Sequence, residues 1–174
     1  MAISLSDKIR QLLDRPNFAH LATLMPDGSP QSVPVWIGRE GDRIIVCTGE
    51  NSLKGKNTRR DPRVALSIVD FDNPYVEAQI RGRVVERRPD PDLKVMDPIS
   101  HKYVGKSFPF RNPEGRVALV IEGSIHQAAV RAYAGGVTGI AVWNDKKIRG
   151  LAIPVNSCSA QIRSRPEFFR SLLV

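Results

Sequence analysis

The sequence predicts a mainly β protein with short helices, arranged as a small closed antiparallel barrel. Short segments of alternating apolar and polar residues indicate half-buried strands. Clusters of Pro, Asp, Asn and Gly separate these segments and indicate tight turns, and one short basic segment between two strands has a helical pattern. Tight turns favour antiparallel pairing, because parallel strands need a long crossover. These features fit a closed barrel better than a doubly wound parallel sheet.

The first part of the chain predicts a helix, a hairpin and a third strand. Ser6 is a suitable N-cap for a short amphipathic helix. Two extended runs, 18–25 and 30–37, are separated by the turn residues 26–29, which predicts a β-hairpin. The β-branched run 43–48 predicts a third strand, so the three strands are expected to form a meander.

A basic helix and two further strands are predicted next. Ser52 resembles an N-cap, and residues 53–60 predict two helical turns that end at Asp61-Pro62. Beyond this helix, residues 64–68 and 76–84 alternate between apolar and polar side chains. Both segments are therefore predicted to be half-buried strands.

The remaining elements are predicted from weaker patterns. Residues 91–104 are expected to be helical with an interruption at Pro98, and 116–129 are a candidate for a long strand. This gives five or six strands with helices inserted between them. In the tail, residues 137–143 and 148–155 are candidates for a further strand pair.

Length and composition indicate one globular domain. The chain has 174 residues, with 41% hydrophobic and 25% charged side chains, and its apolar runs are shorter than the roughly 18 residues of a membrane span. No signal-like segment is apparent at the start, so a soluble cytoplasmic protein is expected. Cys47 and Cys158 are too few and too isolated to indicate a disulfide framework or a zinc site.

The positive charge is clustered in a way that suits a compact anion. A net charge of +8 allows a nucleic-acid partner. Residues 51–63 carry five cations against Asp61, a local excess that fits a phosphate group better than a long polymer. A second basic excess follows residue 130. The chain contains no Gly-x-Gly-x-x-Gly, Walker or His-Glu-x-x-His pattern, so any cofactor must bind in another way.

Five segments of the chain carry a pattern that recurs together and in one order: 18–24, 26–36, 54–66, 72–75 and 81–82. In this combination they resemble the pyridoxamine-phosphate-oxidase-like flavin-binding split barrels. Within that family the resemblance is strongest to the branch that uses the deazaflavin coenzyme F-420. The resemblance covers about residues 6–125. It implies a six-stranded antiparallel split barrel over residues 1–130, a homodimer with two cofactor sites in its interface, and a C-terminal extension, 131–174, that has no counterpart in the deazaflavin branch.

The same resemblance implies a set of cofactor-binding residues. Those expected to hold the cofactor phosphate are Ser52, Lys54, Lys56 and Asn57; those expected to line the ring system are Gln31, Val33, Pro34, Val35 and Thr48; and Tyr75 is expected to contribute from the partner subunit. A helix N-terminus with nearby lysines attracts anions, which supports the phosphate assignment on physical grounds. The alternative is a basic helix face that is simply solvated. Trp36 is equally compatible with packing and with a cofactor contact.

The resemblance implies a redox enzyme with few catalytic side chains of its own, because the cofactor carries the chemistry. We expect F-420-dependent reduction of a small unsaturated organic molecule. The alternatives are an FMN-dependent oxidase, including pyridoxamine phosphate oxidase activity, and a non-enzymatic flavin or haem carrier or nucleic-acid-binding protein. No catalytic residue is assigned, no metal is expected, and a membrane or nucleic-acid partner is not favoured.

Overall fold

The structure is a computed structural model that describes residues 4–74, 76–111 and 115–124, together with the backbone of two later strands. Three helices and nine strands are described. The helices are α1 (Asp7–Asp14), α2 (Leu53–Arg60) and α3 (Met96–Val104). The strands are β1 (Ala19–Leu24), β2 (Pro30–Val35), β3 (Gly38–Glu40), β4 (Arg43–Gly49), β5 (Arg63–Val69), β6 (Glu77–Pro89), β7 (Arg116–Gly123), β8 (Ala129–Ala134) and β9 (Val137–Val142).

The first seven strands form one antiparallel sheet. Their order across the sheet is β2-β1-β5-β6-β7-β4-β3, and β8 and β9 form a separate hairpin. Every neighbouring pair in the sheet is antiparallel. The prediction of a mainly β, antiparallel architecture with short helices is confirmed.

The connection between β2 and β3 shows that this sheet is curled. These strands lie at opposite edges of the seven-stranded order, yet only Trp36 and Ile37 separate them along the chain. A flat sheet of this size would place its edges about 29 Å apart, whereas the connection can span only about 11 Å. The two edges must therefore approach each other. The described sheet has no ladder between β2 and β3, so the barrel is open along this line, as in a split barrel.

The barrel interior is filled by alternate residues of the strands. Leu21, Val46 and Leu119 are fully buried there, and Ile9 and Leu13 of α1 pack into the same cluster. On strands, residues two apart share one face, so the regular alternation of the sequence delivers these side chains to the interior. A core therefore forms even though many strand residues face outward.

A second, smaller cluster lies between the outer face of the sheet and α3. Its buried members are Ile45 of β4, Ala118 and Val120 of β7, and Ile99 of α3. Consequently β4 and β7 are covered on both faces. Ile44, Ile45 and Val46 are all buried as a result, although they are consecutive.

Two sequence predictions about the strands are wrong in detail. The sheet has seven strands rather than six, because residues 38–40 form the short strand β3. The expected three-strand meander does not occur, since β4 pairs with β3 and β7 and not with β2. The reason is that the chain passes from one edge strand, β2, to the opposite edge strand, β3, and β3 takes the place beside β4 that the meander would give to β2.

The later part of the chain also differs from its prediction. Pro98 does not interrupt α3, because it lies in the first turn, where the missing N–H has no helical partner to lose. The long strand expected over 116–129 is divided into β7 and β8, and β9 pairs with β8. The segment 148–155 lies outside the described residues. The domain boundary proposed between 130 and 131 falls within β8 and stays a prediction.

Candidate functional site

The start of α2 brings two of the predicted site residues together. Ser52 is the N-cap, and its Oγ accepts a hydrogen bond of 3.1 Å from the backbone N–H of Gly55. Thr48, near the end of β4, lies 2.9 Å from the same Oγ through its own hydroxyl. The predicted cap is therefore confirmed, and the hydroxyl of Thr48 fixes its position relative to the sheet.

Lys54 and Lys56 supply uncompensated positive charge beside this helix start. Lys54 is half-buried, and its burial lowers the pKa of its ammonium group. Lys56 is exposed. Neither lysine has a carboxylate partner among the described residues. A helix N-terminus attracts anions, and an anion here would also offset the unfavourable burial of the Lys54 charge. These residues therefore fit a phosphate group.

Gly55 allows the first turn of α2 to lie directly on the preceding loop. A Cβ atom at this position would lie 2.6 Å from the carbonyl oxygens of both Gly49 and Glu50. Backbone atoms cannot move aside as a flexible side chain does, so any other residue here would push α2 away. The glycine thus sets the distance between the helix start and β4.

Charged side chains hold the other face of α2. Arg87 of β6 donates hydrogen bonds of 2.8 Å to Thr58 Oγ1 and to Glu50 Oε2. Arg59 also pairs with Glu50, and these two arginines, Arg59 first, keep the pKa of the Glu50 carboxyl below its usual value. The helix is therefore tied to both β6 and the β4–α2 loop, which makes its N-terminus a rigid feature.

Asn57 and Gln31 are connected inside the barrel through a third residue. Asn57 is only 1% exposed, and its Nδ2 donates a 3.0 Å hydrogen bond to Thr23 Oγ1. Thr23 Oγ1 in turn donates to Gln31 Oε1 at 3.1 Å. This chain of contacts links α2 to β1 and β2. In this arrangement Asn57 positions the helix, and its direct contact with a phosphate stays a prediction.

The predicted ring-lining residues of β2 do not share one surface. Val33 packs against the interior core and Val35 is part of it, whereas Pro34 is exposed on the opposite face of the strand. Successive strand residues alternate in direction, so a single surface of this subunit cannot contain all three side chains. The contact of each of these three residues with a cofactor ring stays a prediction. Tyr75 lies outside the described residues.

Trp36 has a packing role in the connection between β2 and β3. Its ring stacks on that of Tyr103 of α3, with centroids 5.0 Å apart and planes within 6°. The Tyr103 hydroxyl donates to the carbonyl of Asn17 at 2.6 Å and accepts from the N–H of Ile37 at 3.1 Å. The ring of Trp36 thus helps to hold α3 over the split.

Lys102 completes this support of the connection. Its Nζ donates to the carbonyl of Ile37 and, at 2.8 Å, to the carbonyl of Leu13 in the last turn of α1. Ile37 belongs to neither β2 nor β3. Both of its backbone polar groups are therefore satisfied by adjacent side chains of α3.

Sequence reasoning missed Thr23, Glu50 and Arg87. Thr23 carried a usable signal, because it is a polar residue at an inward position of an alternating strand. Arg87 lies beyond the predicted end of its strand at residue 84, so nothing local connected it with α2. Cys47 lies against the outer core cluster, and burial raises the pKa of its thiol to about 12.

Among the described residues, no group of three or more His, Cys, Asp or Glu side chains is placed to hold a metal ion. None of the described helices has both the length and the apolar surface needed to cross a bilayer.

The chain belongs to the pyridoxamine 5'-phosphate oxidase family. The sequence profile of that family matches residues 5–131, which include the whole seven-stranded barrel and α2. The predicted resemblance is thereby confirmed, and the fold is one that binds flavin-type cofactors. No curated protein matches the chain significantly.

Solved structures with the same fold include one protein described as an F420 reductase. It is 33% identical, with a TM-score of 0.62, and the match covers 66% of this chain and 92% of the other. A conserved hypothetical protein from Mycobacterium tuberculosis is 23% identical over 71% of this chain and 82% of its own, with a TM-score of 0.59. A putative pyridoxamine 5'-phosphate oxidase from Listeria innocua is 21% identical over 68% and 92%, with a TM-score of 0.54. The last two show similarity of fold.

Proposed function

We propose that this protein is an oxidoreductase that uses the deazaflavin coenzyme F-420 to reduce a small unsaturated organic substrate. The observation that carries the proposal is the start of α2, where a capped helix N-terminus and two lysines without carboxylate partners among the described residues form a site for a phosphate. The 33% identity to a protein described as an F420 reductase favours the deazaflavin.

The residues of the chain bind and orient the cofactor. Lys54 and Lys56 would hold its phosphate by charge-assisted hydrogen bonds, while Ser52 caps the helix start and fixes its position. The side chains of Gln31 and Thr48 take part in hydrogen bonds that fix β2 and β4 relative to α2, so that a ring between these strands would have a constant distance from the phosphate. The bound deazaflavin would supply the hydride, and the apolar residues of β2 would exclude water.

The proposal includes a homodimer in which each cofactor site is completed by the partner subunit. Tyr75 would be the residue contributed from that subunit. The barrel is open between β2 and β3, and a second copy beside this opening would enclose a ring that a single subunit leaves exposed to water.

FMN is the second candidate cofactor, and the family match itself favours it. The proposed phosphate site would suit FMN as well, because FMN also carries a phosphate. In that case the protein would be an oxidase, since reduced FMN passes its electrons to oxygen readily.

The test is a fluorescence titration of the purified protein with F-420 and, separately, with FMN. We expect saturable F-420 binding that weakens roughly hundredfold in a Lys54→Ala/Lys56→Ala variant, because two charge-assisted contacts are lost. A Lys8→Ala/Lys106→Ala variant makes the same change in net charge at exposed positions outside α2 and should bind normally.

Each result of the titration has a distinct meaning. Preference for FMN would replace the deazaflavin proposal by the oxidase. Equal loss of affinity in both double variants would show that only general electrostatic attraction operates. Binding of neither cofactor, together with a steeply salt-dependent affinity for duplex DNA, would favour the nucleic-acid alternative.

A further inference from the structure

A second cavity lies between the end of α1, strand β3 and helix α3, and none of the α2 residues lines it. Its volume is about 320 Å³, which lies in the range of small-molecule pockets. Part of its wall is apolar and is formed by Ile45, Val95, Pro98 and Ile99. Such a wall would accept the apolar body of a small ligand.

Gly38 at the start of β3 keeps this wall in place. A Cβ atom there would lie 2.9 Å from Cγ1 of Ile99, closer than two carbon atoms normally approach. The absence of a side chain lets α3 pack closely on β3. The cavity is thus bounded by tightly packed elements and not by loosely placed side chains.

The carboxylates that line the cavity already have partners. Asp14 accepts hydrogen bonds of 2.8 and 2.6 Å from Arg39, which also lines the cavity. Glu40 is paired with Arg88 at 2.9 Å. These acidic groups therefore add little net negative charge to the cavity.

Lys102 is the cation of the cavity that has no carboxylate partner in the described structure. The other lysine, Lys94, is paired with Asp92 at 3.1 Å and is largely exposed. The ammonium of Lys102 contacts two neutral carbonyls and lies 4.9 Å from the centre of the Tyr103 ring. Burial lowers the pKa of Lys102 to about 8, and the opposing effect of Asp14 is smaller. The positive charge is therefore only partly compensated.

We propose that this cavity is a binding site for a small monocarboxylate with an apolar body, in which Lys102 pairs with the carboxylate and the wall of Ile45, Val95 and Ile99 contacts the apolar part. The site is separate from the cofactor site and needs no cofactor. A carboxylate would compensate the ammonium in a partly dehydrated place, where a charge-assisted hydrogen bond is strong. A neutral ligand of the same shape would lack this contribution.

Binding would also take up protons. A carboxylate beside Lys102 favours the charged ammonium, so its pKa rises towards the usual value when the ligand binds. Asp14 of α1, Arg39 and Glu40 of β3 and Lys94 before α3 are the other charged groups that line the cavity. The ion pair of Asp14 with Arg39 lowers the pKa of the carboxyl and raises that of the guanidinium, whereas the pKa of Lys102, at about 8, lies inside the interval from pH 7 to pH 9. The titration of Lys102 therefore controls affinity in that interval.

The experiment is calorimetric titration of the full chain with benzoate, butyrate and acetate, and with benzamide as the neutral counterpart of benzoate. Benzoate is expected to bind most tightly of the four and benzamide to show no saturable binding. The benzoate affinity should fall roughly tenfold between pH 7 and pH 9 as Lys102 loses its proton. Lys102→Met should weaken benzoate roughly tenfold or more, whereas Lys106→Met, which removes an exposed charge outside the cavity, should leave it unchanged.

A second variant keeps the test decisive if Lys102→Met does not fold. Val95→Phe places a ring in the cavity from a half-buried position and should abolish benzoate binding while leaving the barrel intact. Absence of saturable binding by all three carboxylates would overturn the proposal. The same is true if benzoate and benzamide bind equally, or if the affinity for benzoate is independent of pH. Titration with F-420 is a separate measurement, so failure of one proposal does not affect the other.

Discussion

Helices α2 and α3 both carry lysines against the barrel, but they use them in opposite ways. In α2, Lys54 and Lys56 have no carboxylate partner in the described structure, and their charge is available at the helix start. In α3, Lys102 donates to two backbone carbonyls and connects three elements of the fold. The difference teaches that the contacts of a cation, more than the basic composition of its helix, decide how strongly it supports the fold.

The comparison is tested most strongly by replacing Lys102 with methionine. Two buried carbonyls would lose their donor, and each unsatisfied group lowers the free energy of unfolding by about 1–3 kcal/mol. Removal of the buried charge offsets part of this loss. We expect the free energy of unfolding to fall by about 3 kcal/mol, measured by urea denaturation. Lys56→Met is the matched change in α2 and should alter stability by less than about 0.5 kcal/mol. Equal effects of the two substitutions would contradict the distinction.

The next largest effect is expected at Gly55. Alanine would favour the helical conformation by about 1 kcal/mol, but its Cβ would lie 2.6 Å from two backbone carbonyl oxygens, and such overpacking costs about 1–3 kcal/mol. Gly55→Ala should therefore destabilise the protein by up to about 2 kcal/mol and weaken cofactor binding, as measured by thermal unfolding and by fluorescence titration. Gly49→Ala is the control, because a Cβ at Gly49 has no atom within 4 Å. A stabilised Gly55→Ala variant would disprove the close approach.

A smaller effect is expected from removal of the helix cap. Ser52→Ala loses the hydrogen bond to the N–H of Gly55 and the contact with Thr48, which should cost about 1 kcal/mol of stability. Ser6→Ala provides the comparison, since Ser6 occupies the N-cap of α1 without a side-chain capping bond. The difference between the unfolding free energies of the two variants, measured by urea denaturation, gives the contribution of the Ser52 side-chain cap. Similar losses in both would mean that the Ser52 hydroxyl has no special role.

The smallest expected effect is a pH dependence that arises from Lys102. Its pKa is lowered to about 8 from 10.5, so between these values the unfolded chain binds more protons than the folded one. The contribution of Lys102 to the free energy of unfolding therefore rises with pH over that interval. The unfolding free energy of the unmodified protein, relative to Lys102→Met, should increase by about 1 kcal/mol between pH 7.5 and pH 10. A difference that stays constant or falls would show that the Lys102 ammonium is not destabilised by burial.

The elements predicted correctly are those whose signals are local in sequence. The β1–β2 hairpin follows from its turn residues, and α2 begins and ends where Ser52 and Asp61-Pro62 predict. The position of β4 could not be predicted in the same way. Its partner β7 lies about 70 residues further along the chain, and a strand buried on both faces shows no alternation that would identify its neighbours.

In the candidate site, too, features with a local signal in the sequence could be predicted, and contacts between distant segments could not. The N-cap role of Ser52 was predicted correctly because the capping pattern is visible in the sequence. The roles of Thr23 and Arg87 depend on contacts between distant segments, which no local pattern records. The cofactor contacts of Thr48 and Pro34 stay predictions, because a resemblance transfers positions along the chain without stating which face of a strand each one occupies.

The position of β7 in the sheet has a consequence for how the protein forms during synthesis. β7 is the last of the seven barrel strands in sequence, yet it lies between β6 and β4. Until residue 123 has left the ribosome, the strands β2-β1-β5-β6 and the hairpin β4-β3 have no ladder that joins them. From the emergence of β6 until that of β7, the nascent chain therefore exposes unpaired edges of β6 and β4, and the barrel closes in one late step.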